Sequence, residues 1–348
     1  MTYIVAELGG THNGSLATAK RLIDAVAGPV TDHHTGEELP GVDAVKFTAR
    51  DLSHEYTVAM RDSLYEGPHS YGRTYGEHRE ALELDRYQLE ELRRVAEAKG
   101  LEMGLTMCHP NCFNEYDATP EWYKVASRDL SNGPLLERLS EESIPIVVST
   151  GMATWQDLST ALDILKHNEV VLLHCLSQYP AQYNQLNMSR IKRLQRLGYR
   201  VGYSSHTADD WMAVTAVGMG CEWVELHVTL SRQMRGTDHA ASLEPDGLRR
   251  LVGRIRHLEQ SLGSQEDTSE RRDAYRAAQQ KLGRSICTSR DIMAGEVLDA
   301  DCTELLSPGT GFSWHQRAEV YGKVAAVDIT EQTLLTPDVL LARVEMPV

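Results

Sequence analysis

The chain has 348 residues, 41% of them hydrophobic and 24% charged, with a formal net charge of -15. That length and apolar content support a large domain with a smaller one beside it and exclude a disordered chain. The acidic balance argues against a nucleic-acid surface, although a local basic pocket can sit inside an acidic shell.

Cys108, Cys112, Cys175, Cys221, Cys287 and Cys302 show no paired CxxC spacing, and no secretory leader precedes Tyr3. No apolar run approaches the roughly 18 residues that a membrane span needs. Reduced thiols in a cytoplasmic protein without a membrane partner are the expectation.

Tyr3-Ile4-Val5-Ala6 is a short apolar run ending at Glu7. The loop Leu8-Gly9-Gly10-Thr11-His12-Asn13-Gly14 leads from it into a predicted helix over 15–27, where Leu16, Ala19, Leu22, Ile23 and Val26 keep helical spacing. A polar insertion follows at 28–40, and its adjacent His33 and His34 read as solvated. Ala44-Val45-Lys46-Phe47 is a second strand, and a polar, aromatic excursion through 71–79 separates it from a helix over 85–99. Further strands are predicted at 101–106, 122–126, 144–149, 170–174, 199–203 and 222–227. A short helix follows the first of these, and helices over 134–142, 156–167, 188–197, 209–219 and 245–262 follow the others. Eight strand-helix units in about 260 residues predict a (β/α)8 TIM barrel spanning 1–262. No GxGxxG follows the first strand, as a doubly wound dinucleotide-binding sheet would have it.

In such a barrel the polar residues at strand ends gather on one face. Glu7, Lys46, Thr106, Lys124 with Ser127, Ser149, His174 with Ser177, Ser204 with His206, and His227 all fall at or just past C-terminal strand ends. Singly, a Ser or Thr there is commonly a helix cap and a Lys commonly reaches solvent. Jointly, two lysines with several hydroxyls suit phosphate and carboxylate, and two histidines with two acids suit a metal and a polyhydroxy partner. Along 221–227 a period of two puts Trp223, Glu225 and His227 on one face, so Glu225 is a ligand or an orienter of His227. Two satisfied core histidines are the alternative.

Residues 263–282 form a charged linker with a helical stretch at 274–281. Residues 283–348 alternate short apolar runs with turn residues and carry a weak internal echo, Asp291-Ile292 to Leu298 against Asp328-Ile329 to Leu335. A small, mostly β module with approximate two-fold symmetry gives that pattern.

Several ordered motifs carry a resemblance over nearly the whole chain: Ala6-Glu7-Leu8-Gly9 with His12-Asn13-Gly14, Tyr75-Gly76-Glu77-His78, Tyr123-Lys124-Val125-Ala126-Ser127, Ser149-Thr150-Gly151-Met152-Ala153, and His174-Cys175 with Tyr179-Pro180. Together with the stretch 202–245 they resemble the sialic acid synthase family (N-acetylneuraminate synthase-like), and Pro308-Gly309-Thr310-Gly311 resembles its C-terminal antifreeze-like (SAF) domain. The resemblance implies a transferase that condenses phosphoenolpyruvate with an aldehyde-bearing sugar to a 2-keto-3-deoxy sugar acid, releasing phosphate.

It also implies that Lys46, Thr106, Lys124, Ser127, Ser149, Ser177 and Ser204 bind phosphoenolpyruvate, and that His206 and His227 hold Mn2+ or Mg2+. Glu7, Tyr179 and Asp238 would lie near the acceptor, with Glu7, Asp238 and Glu225 as the catalytic acids. A domain-swapped homodimer is implied, in which the tail covers the partner's barrel mouth.

The chain departs from the family pattern on the acceptor side. Thr48, Ser205, Thr237, Ala240 and Ser307 stand where relatives usually have Gln, Asp, Pro, Lys and a partner-directed Arg. These changes imply a roomier, less cationic mouth and an acceptor other than N-acetylmannosamine. A metal-dependent aldolase or hydrolase on the same barrel, and a non-catalytic sugar-binding homologue, are the competing readings.

Overall fold

Eight runs rich in Val, Leu and Ile become the strands of a closed parallel barrel in the computed structural model, which describes residues 1–32, 35–115, 119–263 and 268–341. They are β1 (Tyr3–Glu7), β2 (Ala44–Ala49), β3 (Glu102–Met107), β4 (Trp122–Val125), β5 (Ile146–Ser149), β6 (Val170–His174), β7 (Arg200–Ser205) and β8 (Trp223–His227). Each strand pairs with its neighbours in sequence, and β8 closes on β1. The eight-strand expectation holds, with strand ends displaced by one or two residues.

The helices follow from capping and spacing. Leu16–Val26 starts where the Ser15 hydroxyl accepts from Thr18 N, and it buries Ala19, Leu22, Ile23 and Val26. Pro245–Leu262 begins at a proline, whose missing N–H costs nothing in a first turn. The predicted helix over 188–197 shortens to Arg190–Gln195 behind a 3-10 turn at Tyr183–Gln185. The insertion at 28–40 contains a small antiparallel ribbon, Val30–Thr31 with Glu38–Leu39, and His33 and His34 lie outside the described residues. The aromatic excursion folds into short helices, of which Tyr75–Glu80 is fixed by a Thr74/Glu77 capping box.

Strand alternation sorts the core into two layers. Strand residues facing the helices join one large apolar cluster, whereas Val5, Ala44, Trp122, Val147, Val171, Leu173 and Trp223 form a separate one from inward positions. Trp122 and Trp223 meet edge to face with centroids 5.0 Å apart, and a Cβ on Gly104 would come within 2.2 Å of the Trp122 ring. This plug fills the barrel below its C-terminal end, so inward polar side chains have room only above it.

Residues from Ser264 onward form a second compact unit. Its helix begins at Ser269, capped by Thr268, and runs to Leu282. Short antiparallel pairs, Ser285–Thr288 with Thr303–Leu306 and Val324–Ala325 with Leu340–Leu341, surround a separate core of Ile286, Ile292, Leu298, Phe312, Val320, Ile329 and Leu335. The sequence echo has a physical counterpart: Ile292 and Ile329 exchange backbone hydrogen bonds of 2.8 Å in both directions. Asp291 Oδ1 accepts from Glu331 N, and Asp328 Oδ1 accepts from Ala294 N. All six cysteines are unbridged and buried, and among the described residues no helix is long and apolar enough to cross a membrane.

Candidate active site

Above the tryptophan plug lies a cavity of about 360 Å³. Its wall includes Glu7, Lys46, Thr106, Lys124, Ser127, Ser149, Ser177, Tyr179, Ser204, His206, Glu225, His227 and Asp238, so of the polar residues collected at strand ends and in the resemblance all but one are on it. His174 is not. Its Nε2 donates to Leu186 O at 2.7 Å, which makes it a buried packing residue.

Strand register explains the convergence. Glu7 lies opposite Lys46 in the β1–β2 ladder and opposite His227 in the β1–β8 ladder, Thr106 opposite Lys124, and Glu225 opposite Ser204. Ladder partners in a parallel pair point the same way, so acids, lysines and hydroxyls share one level. Lys46 Nζ pairs with Glu7 and donates to Thr106 Oγ1 at 2.9 Å. Lys124 Nζ donates to Ser149 Oγ at 2.7 Å and lies 3.5 Å from Glu225 Oε1. Burial opposes ionisation of Glu225, but Lys124 and then Lys46 outweigh it and hold its carboxyl well below the usual carboxylate range. Ser127 Oγ accepts from Gly151 N at 3.1 Å.

The acids close on backbone. A Cβ on Gly9 would approach Glu7 Oε1 to 2.5 Å and Thr48 Oγ1 to 2.7 Å, and one on Gly10 would meet Asp238 Oδ2 at 2.0 Å. A side chain at either position would displace the Glu7 or Asp238 carboxylate from where it stands.

The two histidines have rings 5.5 Å apart in a T-shaped arrangement. His206 Nδ1 donates to Leu176 O at 2.6 Å, which leaves its Nε2 lone pair on the cavity side, where the Tyr179 hydroxyl donates to it at 3.0 Å. His227 Nδ1 is buried without a hydrogen-bond partner and lies 3.9 Å from Asp238 Oδ2. Burial pulls His206 down to about 3 and lowers His227 despite the pull of Asp238. Neutral imidazoles are the ligating form, so this pair fits a divalent ion whose other positions go to oxygen donors. Among the described residues no set of three or more His, Cys, Asp and Glu is arranged for a metal.

With this geometry in place, comparison with known proteins assigns the family. A model described as the NeuB family matches residues 37–267, and one described as the SAF domain matches 283–341. The chain belongs to the NeuB family. It is 30% identical to human N-acetylneuraminate-9-phosphate synthase over 351 residues, covering 97% of this chain and 92% of that protein. It is 31% identical to the N,N'-diacetyllegionaminic acid synthase of Legionella pneumophila, covering 96% and 93%. Among solved structures, the N-acetylneuraminic acid synthetase of Leptospira borgpetersenii in complex with citrate aligns with a TM-score of 0.64 at 26% identity, covering 79% and 90%.

Within this NeuB-family cavity the structure adds residues that the sequence reading passed over. Arg50, Arg79 and Arg128 line the wall, as do Gly9, Gly10 and Met152. Arg50 and Arg128 stand just past the ends of β2 and β4, so the strand-end rule that selected Lys46 and Ser127 reaches them too. Arg79 carried no such signal, because it comes from the excursion. There buried His78 packs on the Tyr65 ring with centroids 4.4 Å apart.

Three guanidiniums, Arg50, Arg79 and Arg128, stand on the cavity wall besides the two lysines. Of the departing residues only Thr48 lines the cavity, while Ala240 is exposed off its wall and Ser307 donates to Leu282 O within the second unit.

Proposed function

We propose that this NeuB-family chain joins phosphoenolpyruvate to an aldehyde-bearing sugar, giving a 2-keto-3-deoxy sugar acid and inorganic phosphate. One observation carries the reading. Two buried lysines with their hydroxyl partners share one cavity with the imidazoles of His206 and His227 and the carboxylates of Glu7 and Asp238.

Lys46 and Lys124, with Thr106, Ser127, Ser149, Ser177 and Ser204, neutralise and orient the phosphate and carboxylate of phosphoenolpyruvate. Carbon C3 then bonds to the aldehyde carbon, the aldehyde oxygen takes a proton, water adds at C2 with loss of a proton, and the bond between C2 and the phosphate's bridging oxygen breaks, releasing phosphate as the C2 hydroxyl gives up its proton and becomes the ketone. Glu7, Asp238 and Glu225 are the groups placed to orient that water and move those protons, and Tyr179 positions the acceptor. A Mn2+ or Mg2+ ion held by His206 and His227 would supply Lewis-acid polarisation of the aldehyde.

The chain divides, on this reading, into a catalytic barrel (1–262), a linker (263–282) and a SAF domain (283–348) that caps a second copy's barrel in a cytoplasmic homodimer. Following phosphate release from phosphoenolpyruvate across a panel of aldoses, with and without divalent metal, tests the reading. Absence of release with every aldose would overturn it. An aldolase or hydrolase would turn over without phosphoenolpyruvate.

A further inference from the structure

Asp238 reaches the cavity from a loop and not from a strand end. It lies in the segment 228–244 that follows β8, directly before a 3-10 turn at His239–Ala241. The carboxylate's own partner is local: its Oδ1 accepts from the Thr237 hydroxyl at 2.9 Å. Its Oδ2 stands where a Cβ on Gly10 would meet it at 2.0 Å. The position of this acid is therefore set by whatever holds the backbone of 235–239.

Asn13, three residues past Gly10 in the loop after β1, holds that backbone on both sides of Asp238. Its Nδ2 donates to Arg235 O at 2.9 Å, and its Oδ1 accepts from His239 Nε2 at 3.2 Å. His239 is fully buried, and burial favours its neutral form, which carries a single ring proton. Because the bond to Arg235 O turns the amide oxygen toward His239, that proton lies on Nε2, and Nδ1 accepts from the Thr229 hydroxyl at 2.7 Å.

The aromatic excursion reinforces the clasp. The Tyr71 hydroxyl donates to the same Arg235 carbonyl at 2.6 Å, so both lone pairs of that oxygen are used, and Gly236 N donates to His69 Nδ1 at 3.2 Å. Asn13 adopts a φ of 52°, a left-handed conformation that asparagine tolerates better than most residues. A Cβ on Gly236 would come within 2.7 Å of the His239 ring and 3.0 Å of Asn13 Oδ1. Asn13 is not on the cavity wall, so an unusual backbone conformation and a close approach are maintained for an amide that only another residue can carry into the site.

We infer that Asn13 is a positioning residue, whose amide sets where the Asp238 carboxylate stands by gripping the Arg235 carbonyl and the His239 ring on either side of it. The inference deepens the condensation reading and rests on it for the proton and water handling given to Asp238.

Asn13→Gly is the deciding variant, because glycine adopts a φ of 52° without strain and only the amide is lost. It should lower kcat for phosphate release roughly 10-fold or more and leave the KM for phosphoenolpyruvate within about 2-fold of wild type, since a misplaced acid costs turnover while the lysine pocket is intact. Hydrogen–deuterium exchange of peptides covering 235–241 should rise in the variant, with the barrel strands unchanged. Asn13→Asp keeps the acceptor for His239 and loses the donor to Arg235 O, so it should fall between wild type and Asn13→Gly. It carries the test alone if Asn13→Gly does not fold. Wild-type kcat or unchanged exchange over 235–241 overturns the inference. So does a fall in kcat matched by an equal rise in the KM for phosphoenolpyruvate, which would mark a general distortion of the barrel mouth. Exchange is measured whether or not an aldose reacts: a wild type that releases no phosphate refutes the condensation reading, and the clasp on 235–239 is then decided by exchange alone.

Discussion

Glu7 and Lys46 are ladder partners in β1 and β2, and their side chains, 4% and 6% exposed, form a buried ion pair at the floor of the cavity. Removing one member of such a pair strands the other in a medium where an unpaired charge is poorly solvated.

Lys46→Ala is therefore expected to lose stability as well as substrate binding. The stability loss should be roughly 3–5 kcal/mol, and the double variant Glu7→Gln/Lys46→Met should recover most of it. Denaturant unfolding of the two variants decides the point. Lys124→Ala, whose Nζ contacts Ser149 and Glu225, should raise the KM for phosphoenolpyruvate or abolish turnover. Wild-type kinetics in Lys124→Ala would remove the assigned pocket.

If His206 and His227 hold a divalent ion, chelation should abolish phosphate release and added Mn2+ or Mg2+ should restore it. His206→Ala and His227→Ala should each lower kcat by at least ~100-fold. Each should also lower the bound metal measured by elemental analysis, a readout independent of turnover. Full activity after exhaustive chelation would refute the assignment.

Deleting residues 283–348 should leave a folded barrel, because the two units have separate apolar cores. That barrel should have little activity if the SAF domain completes a partner's site. A truncated protein with normal turnover would rule out the capping role.

If Ser307 replaces a partner-directed arginine, as the resemblance implies, N-acetylmannosamine should be a poor acceptor and Ser307→Arg should improve it. A wild-type kcat/KM for N-acetylmannosamine of roughly 10⁴ M⁻¹s⁻¹ or more would contradict this.

Burial lowers the His12 imidazole to about 4, with Arg79 acting in the same direction and a backbone hydrogen bond to Gly9 against it. An unfolded chain titrates this group near 6.5 and therefore binds more protons than the folded one between those values. The contribution is full above 6.5, falls as pH drops toward 4, and amounts to about 3 kcal/mol at most. Comparing wild type with His12→Gln across that window should show a flatter pH dependence in the variant. Parallel curves would place the acid sensitivity elsewhere.

What the chain determines locally was open to reading before any fold was known. Alternation along 223–227 put Trp223, Glu225 and His227 on one face, helical spacing marked 16–26, and the strand-end rule collected Glu7, Lys46, Lys124 and the serines. These signals are periodic and local, so each survives without knowledge of its neighbours.

Tertiary structure decided what depends on distance across the barrel. His174 and His206 both stand at or just past a strand end, yet one is spent on Leu186 O and the other opens onto the cavity. Arg79 reaches the site through a packed aromatic loop, and Arg50, Arg79 and Arg128 become one group only because Glu55 and Glu83 bridge them. Charge pairing between residues far apart in sequence has no period, and only closure of the barrel sets which carboxylate meets which guanidinium.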